Sequence, residues 1–430
     1  MATPRTSDLL ARRYATLGQH SPLFYREPLE LVSGEGVWLT DAQGRTYLDG
    51  YNNVPHVGHA NPVVADAVSR QLRTLNLHTR YLNHVVVDYA EALLGTFSDR
   101  LDRLFLVNSG SEANELALRL ARQHTGSTGV LVSDFSYHGN TTSLAELTTG
   151  LTVREPLGDH VRPVRIPDAT GLSDAEAQQE CALALAQVDD AIASLQAAGH
   201  GVSAALFDPL FSTEGLLAPP AGYVEGLAYR VRAAGGLVIA DEVQSGFGRL
   251  GDSMWGHELF DLSPELVTLG KPMGNGHPVG GVVTTAELLD EFGRHNMYFN
   301  TFAGSPVSSA AGLAVLEVMA NEGLMPRAHE TGAFIASRLR EMAAEHRLVA
   351  SVRGHGLFFG LDLVHDDGAP AADATRALTE KMREKGVLIS KIGRDDNVLK
   401  MRPPMVIEQN QAEILVDRLA ESLAELTTIG

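Results

Sequence analysis

The sequence predicts an α/β fold: a mostly parallel sheet covered by helices, with a smaller α+β unit assembled from both ends of the chain. Three observations lead there. Short apolar runs of strand length alternate with amphipathic helical patterns through the middle of the chain, as expected of a sheet buried on both faces. The ends read differently, with a hairpin-like segment near the start and long helical patterns towards the finish. The length of 430 residues, 44% of them hydrophobic and 20% charged, allows two or three domains with sizeable cores.

In chain order, residues 28–50 carry the hairpin-like VWLTDAQGRTYLDG. Buried strands are predicted at Leu104–Val107, Val130–Ser133, Ala204–Phe207, Leu237–Ala240, Leu266–Leu269 and Val279–Thr284. Between the first two, Ala113, Leu116, Ala117, Leu120 and Ala121 fall on one helical face of the stretch Glu112 to Arg122. The Ala-rich stretch from Ala175 to Ala198 predicts a surface helix. Residues 310–430 hold long helical patterns with strands expected at Gly356–Leu363 and Val398–Met401. The expected division is 1–60 and 310–430 for the smaller unit and 61–309 for the larger one. No internal repeat is visible.

A net charge of -19 argues against nucleic acid, because an acidic surface repels phosphate backbones. It leaves small anionic substrates open, since a local basic pocket can sit in an acidic protein. The single cysteine, Cys181, makes an intrachain disulfide impossible and a reducing compartment the simplest home. The start lacks an apolar run long enough for a signal peptide, and no stretch approaches the ~20 apolar residues that span a bilayer. A cytoplasmic location, with no membrane partner, is the expectation. The sequon at Asn140 then reads as chance.

The chemistry lies at strand ends. Asp241, in LVIADEVQSGFGR, and Lys271, in LVTLGKPMGNGHPVGG, each follow an apolar run and open into a Gly-rich loop. In open α/β sheets ligands bind at such places. A lysine there can form a Schiff base, and an aspartate can keep a pyridinium nitrogen protonated, the division of labour that pyridoxal phosphate requires. Asp241 ends a run without charge, and a buried carboxylate needs a cationic or hydrogen-bonded partner. A structural salt bridge would also meet that need, but with a ring nitrogen as partner Gln244 would reach the ring hydroxyl.

Ser109, Gly110 and Ser111 follow a strand and open a helix. Ser109 and Glu112 have capping-box spacing, Gly110 permits close backbone approach, and the exposed N–H groups suit a phosphate. An ordinary capped helix has the same signature. Tyr137, with His138 beside it, follows the next strand and can stack on a flat ring, although a core tyrosine would read alike. The Gly270-Lys271 pair is not a nucleotide loop, because Glu265 and Pro272 stand where such a loop needs Gly and Ser or Thr. No HExxH or CxxC occurs, so no metal site is expected.

Together NSGSEAN, SYHG, ADEVQSGFGR, LGKPMGNGHP and NTFAGSPVS resemble the class III aminotransferases, a branch of the fold-type I pyridoxal-phosphate enzymes. The resemblance runs from about residue 28 to the C-terminus, in family order. It implies a seven-stranded large domain, pyridoxal 5′-phosphate as cofactor, Lys271 as the Schiff-base lysine and Asp241 as partner of the ring nitrogen. It further implies Gly110 and Ser111 in the phosphate cup, Tyr137 as ring stacker and Thr301 reaching the cofactor phosphate of the other subunit. The active unit would be a homodimer with shared sites, with pairing into tetramers left open.

Within the class, YNNVPHVGH, LNLHTRYLN and NVLKMRPPM are most similar to the ethanolamine-phosphate phospho-lyases, which eliminate phosphate from an amine–CH2–CH2–phosphate substrate. Many amino-acid aminotransferases of the class carry arginine three residues before the Pro-Pro pair; here that residue is Lys400. A lysine is a compact point charge without the bidentate fork, suited to phosphate rather than α-carboxylate. Some relatives also carry an EPIQGEGG-like stretch whose second glutamate partners that arginine, and Thr213 of DPLFSTEG stands in its place. Arg80, Arg402, Asn52 and Asn53 complete the candidate substrate-phosphate residues. The expected activity is release of phosphate, acetaldehyde and ammonia from O-phosphoethanolamine or a similar phosphorylated amine. The rivals are transamination to pyruvate or glyoxylate, and a non-catalytic cofactor-binding protein. A base at Lys271, close to cationic neighbours, is expected to have a depressed pKa.

Overall fold

The computed structural model describes residues 4–427. The N-terminal part forms β1 (Leu31–Glu35), β2 (Trp38–Asp41) and β3 (Thr46–Asp49). The central sheet uses β4 (Arg103–Val107), β5 (Val130–Ser133), β6 (Val161–Val164), β7 (Ala204–Phe207), β8 (Leu237–Asp241), β9 (Leu266–Leu269) and β10 (Gly280–Thr284). The C-terminal part supplies β11 (Val349–His355), β12 (Phe358–Leu363), β13 (Val387–Leu388), β14 (Ser390–Ile392) and β15 (Val398–Met401).

The central sheet has seven strands in the order β4-β10-β9-β8-β7-β5-β6. Only β10 runs against its neighbours, pairing antiparallel with both β4 and β9, while β5 through β9 pair in parallel. Both faces are buried because each strand feeds two cores in alternation. Val130, Val132, Leu206 and Ile239 pack under the helix Gly110–Thr125, against its Ala113, Leu116, Ala117, Leu120 and Ala121. Leu131, Ala205, Phe207 and Val238 point the other way, towards the helices Asp174–Ala197 and Tyr223–Ala233. Truncating Leu116 to alanine there should cost about 2–5 kcal/mol.

The Ala-rich stretch forms the helix Asp174–Ala197, opened by a full capping box between Ser173 and Glu176. β8 extends to Asp241, one residue beyond the expected run, and β10 begins at Gly280 rather than Val279. Three short strands, β6, β13 and β14, and the longer β11 carry no apolar run of their own strong enough to predict. β6 contains Pro163, tolerated because the strand lies at the sheet edge.

The hairpin β2–β3 belongs to a four-stranded sheet, β1-β2-β3-β13, whose last member comes from the far end of the chain. Val387 pairs in parallel with Leu48, and Leu388 with Asp49. The third sheet, β11-β12-β15-β14, is antiparallel throughout. One core runs from Leu48 and Val387 through Leu415 and Leu423 to Leu269 and Met273 beneath the central sheet. That continuity brings β15 close to the ends of β8 and β9.

Candidate active site

The loops after five central strands converge on a cavity of about 310 Å³. They are β4 (Ser109–Ser111), β5 (Tyr137–Gly139), β7 (Asp208), β8 (Asp241–Gln244) and β9 (Lys271). All are carboxyl ends of mutually parallel strands, where loops rather than sheet edges present groups to a ligand.

Ser109 is the N-cap of the helix Gly110–Thr125, its hydroxyl accepting from the Glu112 N–H at 3.2 Å. The reciprocal half of a capping box is missing. Glu112 instead accepts from Asn108 N at 2.8 Å and Asn300 Nδ2 at 2.9 Å, tying the segment before Thr301 to this loop. The amides of Gly110 and Ser111 come first in the helix and have no acceptor within it. A Cβ on Gly110 would meet Val243 Cγ2 at 2.9 Å, so only glycine lets this turn lie against the β8 loop.

Asp241 is buried and fully engaged. Its Oδ2 accepts from Asn114 Nδ2 at 2.9 Å and faces His138 Nδ1 at 2.8 Å. Asn114 is in turn fixed by the His138 carbonyl at 2.7 Å and by Thr268 Oγ1 at 2.6 Å. Burial alone would raise the Asp241 pKa; His138, Asn114 and Lys271 outweigh it and hold the carboxylate below its usual range. His138 Nε2 is buried without a hydrogen-bond partner. Lys271 is open to the cavity yet surrounded by its walls. Burial first, then the Arg402 charge, lowers its pKa, as its position near cations led one to expect.

Gln244 joins this group to β15. Its Oε1 accepts from Lys400 Nζ at 3.2 Å and from the Arg402 guanidinium, while its Nε2 donates to Ser212 Oγ at 2.6 Å. Ser212 Oγ donates to Asp208, whose other oxygen accepts from Leu210 N at 2.9 Å. Lys400 and Arg402 each lie 5.1 Å from the Phe358 ring centre, with Tyr51 at 5.9 Å and 5.5 Å. Both cations are buried, and among the described residues neither forms an ion pair. Burial, then Arg402, then Lys271 drives the Lys400 pKa well below the usual lysine range, and burial lowers Arg402 to about 10.

The other candidates fall elsewhere. Asn52 spends its amide on both oxygens of Asp49 at 3.1 Å. Asn53 is buried with Nδ2 unpartnered, and their neighbour Val54 is the residue of that segment that lines the cavity. Arg80 is exposed, its guanidinium 3.9 Å from the Phe299 ring centre, and does not reach the cavity of its own chain. Thr301 is likewise exposed and outside that cavity. The sequence reading assigned no role to Asn114, Asp208, Ser212 or Asn300. Asn114 stands four residues after Gly110, one helical turn on, and that spacing was the available signal.

The family model described as aminotransferase class III matches residues 25–423. A Drosophila melanogaster protein named alanine–glyoxylate aminotransferase 2-like is 38% identical over 95% of this chain and 85% of its own. A Caenorhabditis elegans ethanolamine-phosphate phospho-lyase homolog is 37% identical over 94% of this chain and 90% of its own. A solved structure of a phospholyase from Arthrobacter in complex with phosphoethanolamine shares 70% identity and a TM-score of 0.96, covering 97% of this chain and 99% of that one. The seven-stranded sheet, the loops that meet at its strand ends and these matches lead to one conclusion: the chain belongs to the class III aminotransferases.

Proposed function

We propose that the chain is a pyridoxal-phosphate-dependent phospho-lyase acting on O-phosphoethanolamine or a similar phosphorylated amine. Water is consumed and acetaldehyde, ammonia and inorganic phosphate are released. The observation that carries this reading is the buried pair Lys400 and Arg402, sharing one neutral amide oxygen beside Lys271. Two cations around an uncharged oxygen repel one another, and a phosphate dianion supplies the missing charge. An α-carboxylate carries half of it. The likeness to a phospholyase bound to phosphoethanolamine supports the same substrate class.

The residues present fit the cofactor. The Gly110 and Ser111 amides suit a phosphate, Tyr137 offers a ring face, and the ionised Asp241 suits a protonated ring nitrogen. Pyridoxal phosphate, when bound, supplies an aldehyde for amines and a ring that accepts the electron pair left when a neighbouring C–H bond breaks. Lys271, its proton affinity lowered by its surroundings, would take the proton from the carbon bearing nitrogen. Lys400 and Arg402 would hold the phosphate and meet the charge that grows on it as the C–O bond breaks. His138 and Asn114 keep Asp241 ionised and aimed.

Transamination uses the same first steps, and the likeness to a protein named for alanine and glyoxylate keeps it as the second reading. Phosphate release from O-phosphoethanolamine without any keto acid tests the proposal. Stoichiometric pyruvate-dependent alanine formation with no phosphate release would assign the transaminase instead. The active unit in this reading is a homodimer. Tyr81, Leu82, Met297 and Phe302 are all exposed in the segments that carry Arg80 and Thr301, apolar surface that a partner subunit would cover. Light scattering that gave a monomeric mass would remove that part.

A further inference from the structure

Lys400 and Arg402 face Gln244 on one side and Ser212, backed by Asp208, faces it on the other, and these four groups differ in what they can do. Lysine and arginine only donate hydrogen bonds, and an ionised carboxylate only accepts them. Asp208 Oδ2 takes the Ser212 hydroxyl proton and the Ser212 N–H at 3.3 Å, while Oδ1 takes Leu210 N. Burial and then the nearby charge of Asp241 leave the Asp208 pKa raised, while the Ser212 hydroxyl and the Leu210 N–H counter that rise and favour the ionised form. With its one proton given to Asp208, the Ser212 oxygen can only accept, so it must face an N–H of Gln244. The amide oxygen is then turned towards Lys400 and Arg402. The orientation is thus determined from both ends rather than by a single contact.

Resting on the phospho-lyase reading, we infer that Ser212 and Asp208 are positioning residues for substrate phosphate: through Gln244 they hold Lys400 and Arg402 side by side as one dianion site. Neither touches the phosphate. Their effect is preorganisation, since long cationic side chains lose rotamer freedom when they close on an anion. Without the relay the Gln244 amide can rotate, presenting its NH2 to two cations and driving them apart. Ser212 is fully buried and Asp208 nearly so, so water does not replace either at little cost. Asp208 also lines the cavity, where a carboxylate next to a phosphate site would repel its ligand. Its hydrogen bonds to Ser212 and Leu210 turn both of its oxygens to protein donors.

The test is inorganic phosphate binding to the holoenzyme by titration calorimetry, with the cofactor's own phosphate site filled, alongside steady-state kinetics. Ser212→Ala should weaken phosphate binding about tenfold, the loss of one hydrogen bond in a charged network. The change should fall on KM for O-phosphoethanolamine rather than on kcat, and leave the cofactor absorption band in place. Ser212→Thr, which keeps the hydroxyl, should recover most of the affinity. Asp208→Asn, nearly isosteric, should also weaken phosphate, because an asparagine amide can donate to Ser212 and so release the relay in the opposite sense. It serves as the second probe if Ser212→Ala fails to fold. Unchanged phosphate affinity in the folded variants overturns the inference. So does a loss of cofactor binding as large as the loss of phosphate. Wild-type protein that binds no phosphate sinks both the relay and the phospho-lyase reading. Protein whose phosphate affinity depends on Ser212 yet which releases none from O-phosphoethanolamine sinks the phospho-lyase reading alone.

Discussion

Two buried groups, one lining the cavity and one joined to it through Gln244, solve opposite electrostatic problems. On the central-sheet side, the buried carboxylate Asp241 has a donor for its outer oxygen from both Asn114 and His138, and it remains charged. On the β15 side, Lys400 and Arg402 are buried, form no ion pair among the described residues and share the Gln244 oxygen. The first set is hydrogen-bonded within the chain; in the proposed function the second receives the substrate phosphate. In the proposed function the contrast separates two tasks: the Asp241 set is hydrogen-bonded before a ligand arrives, whereas a bound anion would relieve the repulsion between Lys400 and Arg402.

The largest effect should come from the centre. Lys271→Ala is expected to lower kcat by at least about 10³-fold, the scale of losing a positioned base, measured as phosphate release. Activity near wild type would break the contrast at its root. Next, Lys400→Ala should raise KM for O-phosphoethanolamine by about 30-fold, near 2 kcal/mol for truncating one member of a buried charged set. The cofactor spectrum should stay as it is. A shift in that spectrum without a change in KM would move Lys400 to the cofactor side.

A third effect concerns pH. The Lys400 pKa is depressed, so the amine loses its proton at a lower pH than an ordinary lysine. Phosphate binding needs the protonated form. Affinity should therefore fall as pH rises through that depressed value, by about tenfold per unit beyond it. Lys400→Arg should push the decline to higher pH, and an unaltered profile would show that another group titrates.

The smallest effect compares two buried carboxyls. Glu214 accepts a hydrogen bond from Ser133 but lacks the set that surrounds Asp241, and burial raises its pKa to about 8. The folded protein then binds more protons than the unfolded chain between the ordinary glutamate range and that value. Stability should fall as pH rises through this window. Glu214→Gln should flatten the decline in Tm between mildly acidic pH and about pH 8 by a few degrees. An identical slope in both proteins would mean that Glu214 is ionised throughout.

The same contrast explains what the sequence made legible. Asp241, Lys271, Tyr137 and the Ser109–Ser111 turn each sit just past an apolar run that forms a strand, so local pattern and position coincide. The central strands were readable for the same reason, since burial on both faces leaves a continuous apolar signature. The β15 side is different. Lys400 and Arg402 become partners of Gln244 only because β15 pairs with β12 and is brought over the ends of β8 and β9. Ser212 and Asp208 look like ordinary loop residues until folding brings Gln244 against them. Arg80 and Thr301 sit on an exposed face, and in one chain neither borders the cavity. β13, two residues long, has no periodicity to read at all.

That short strand governs how the protein can be made. Because Val387 and Leu388 finish a sheet begun at the other end, a nascent chain waits with the edge of Thr46–Asp49 unpaired until nearly all of it has left the ribosome. Such late, long-range closure slows folding and leaves a strand edge free to capture the wrong neighbour. A chain interrupted before Val387 would keep that edge permanently, a liability for aggregation that no repair of the cavity would cure.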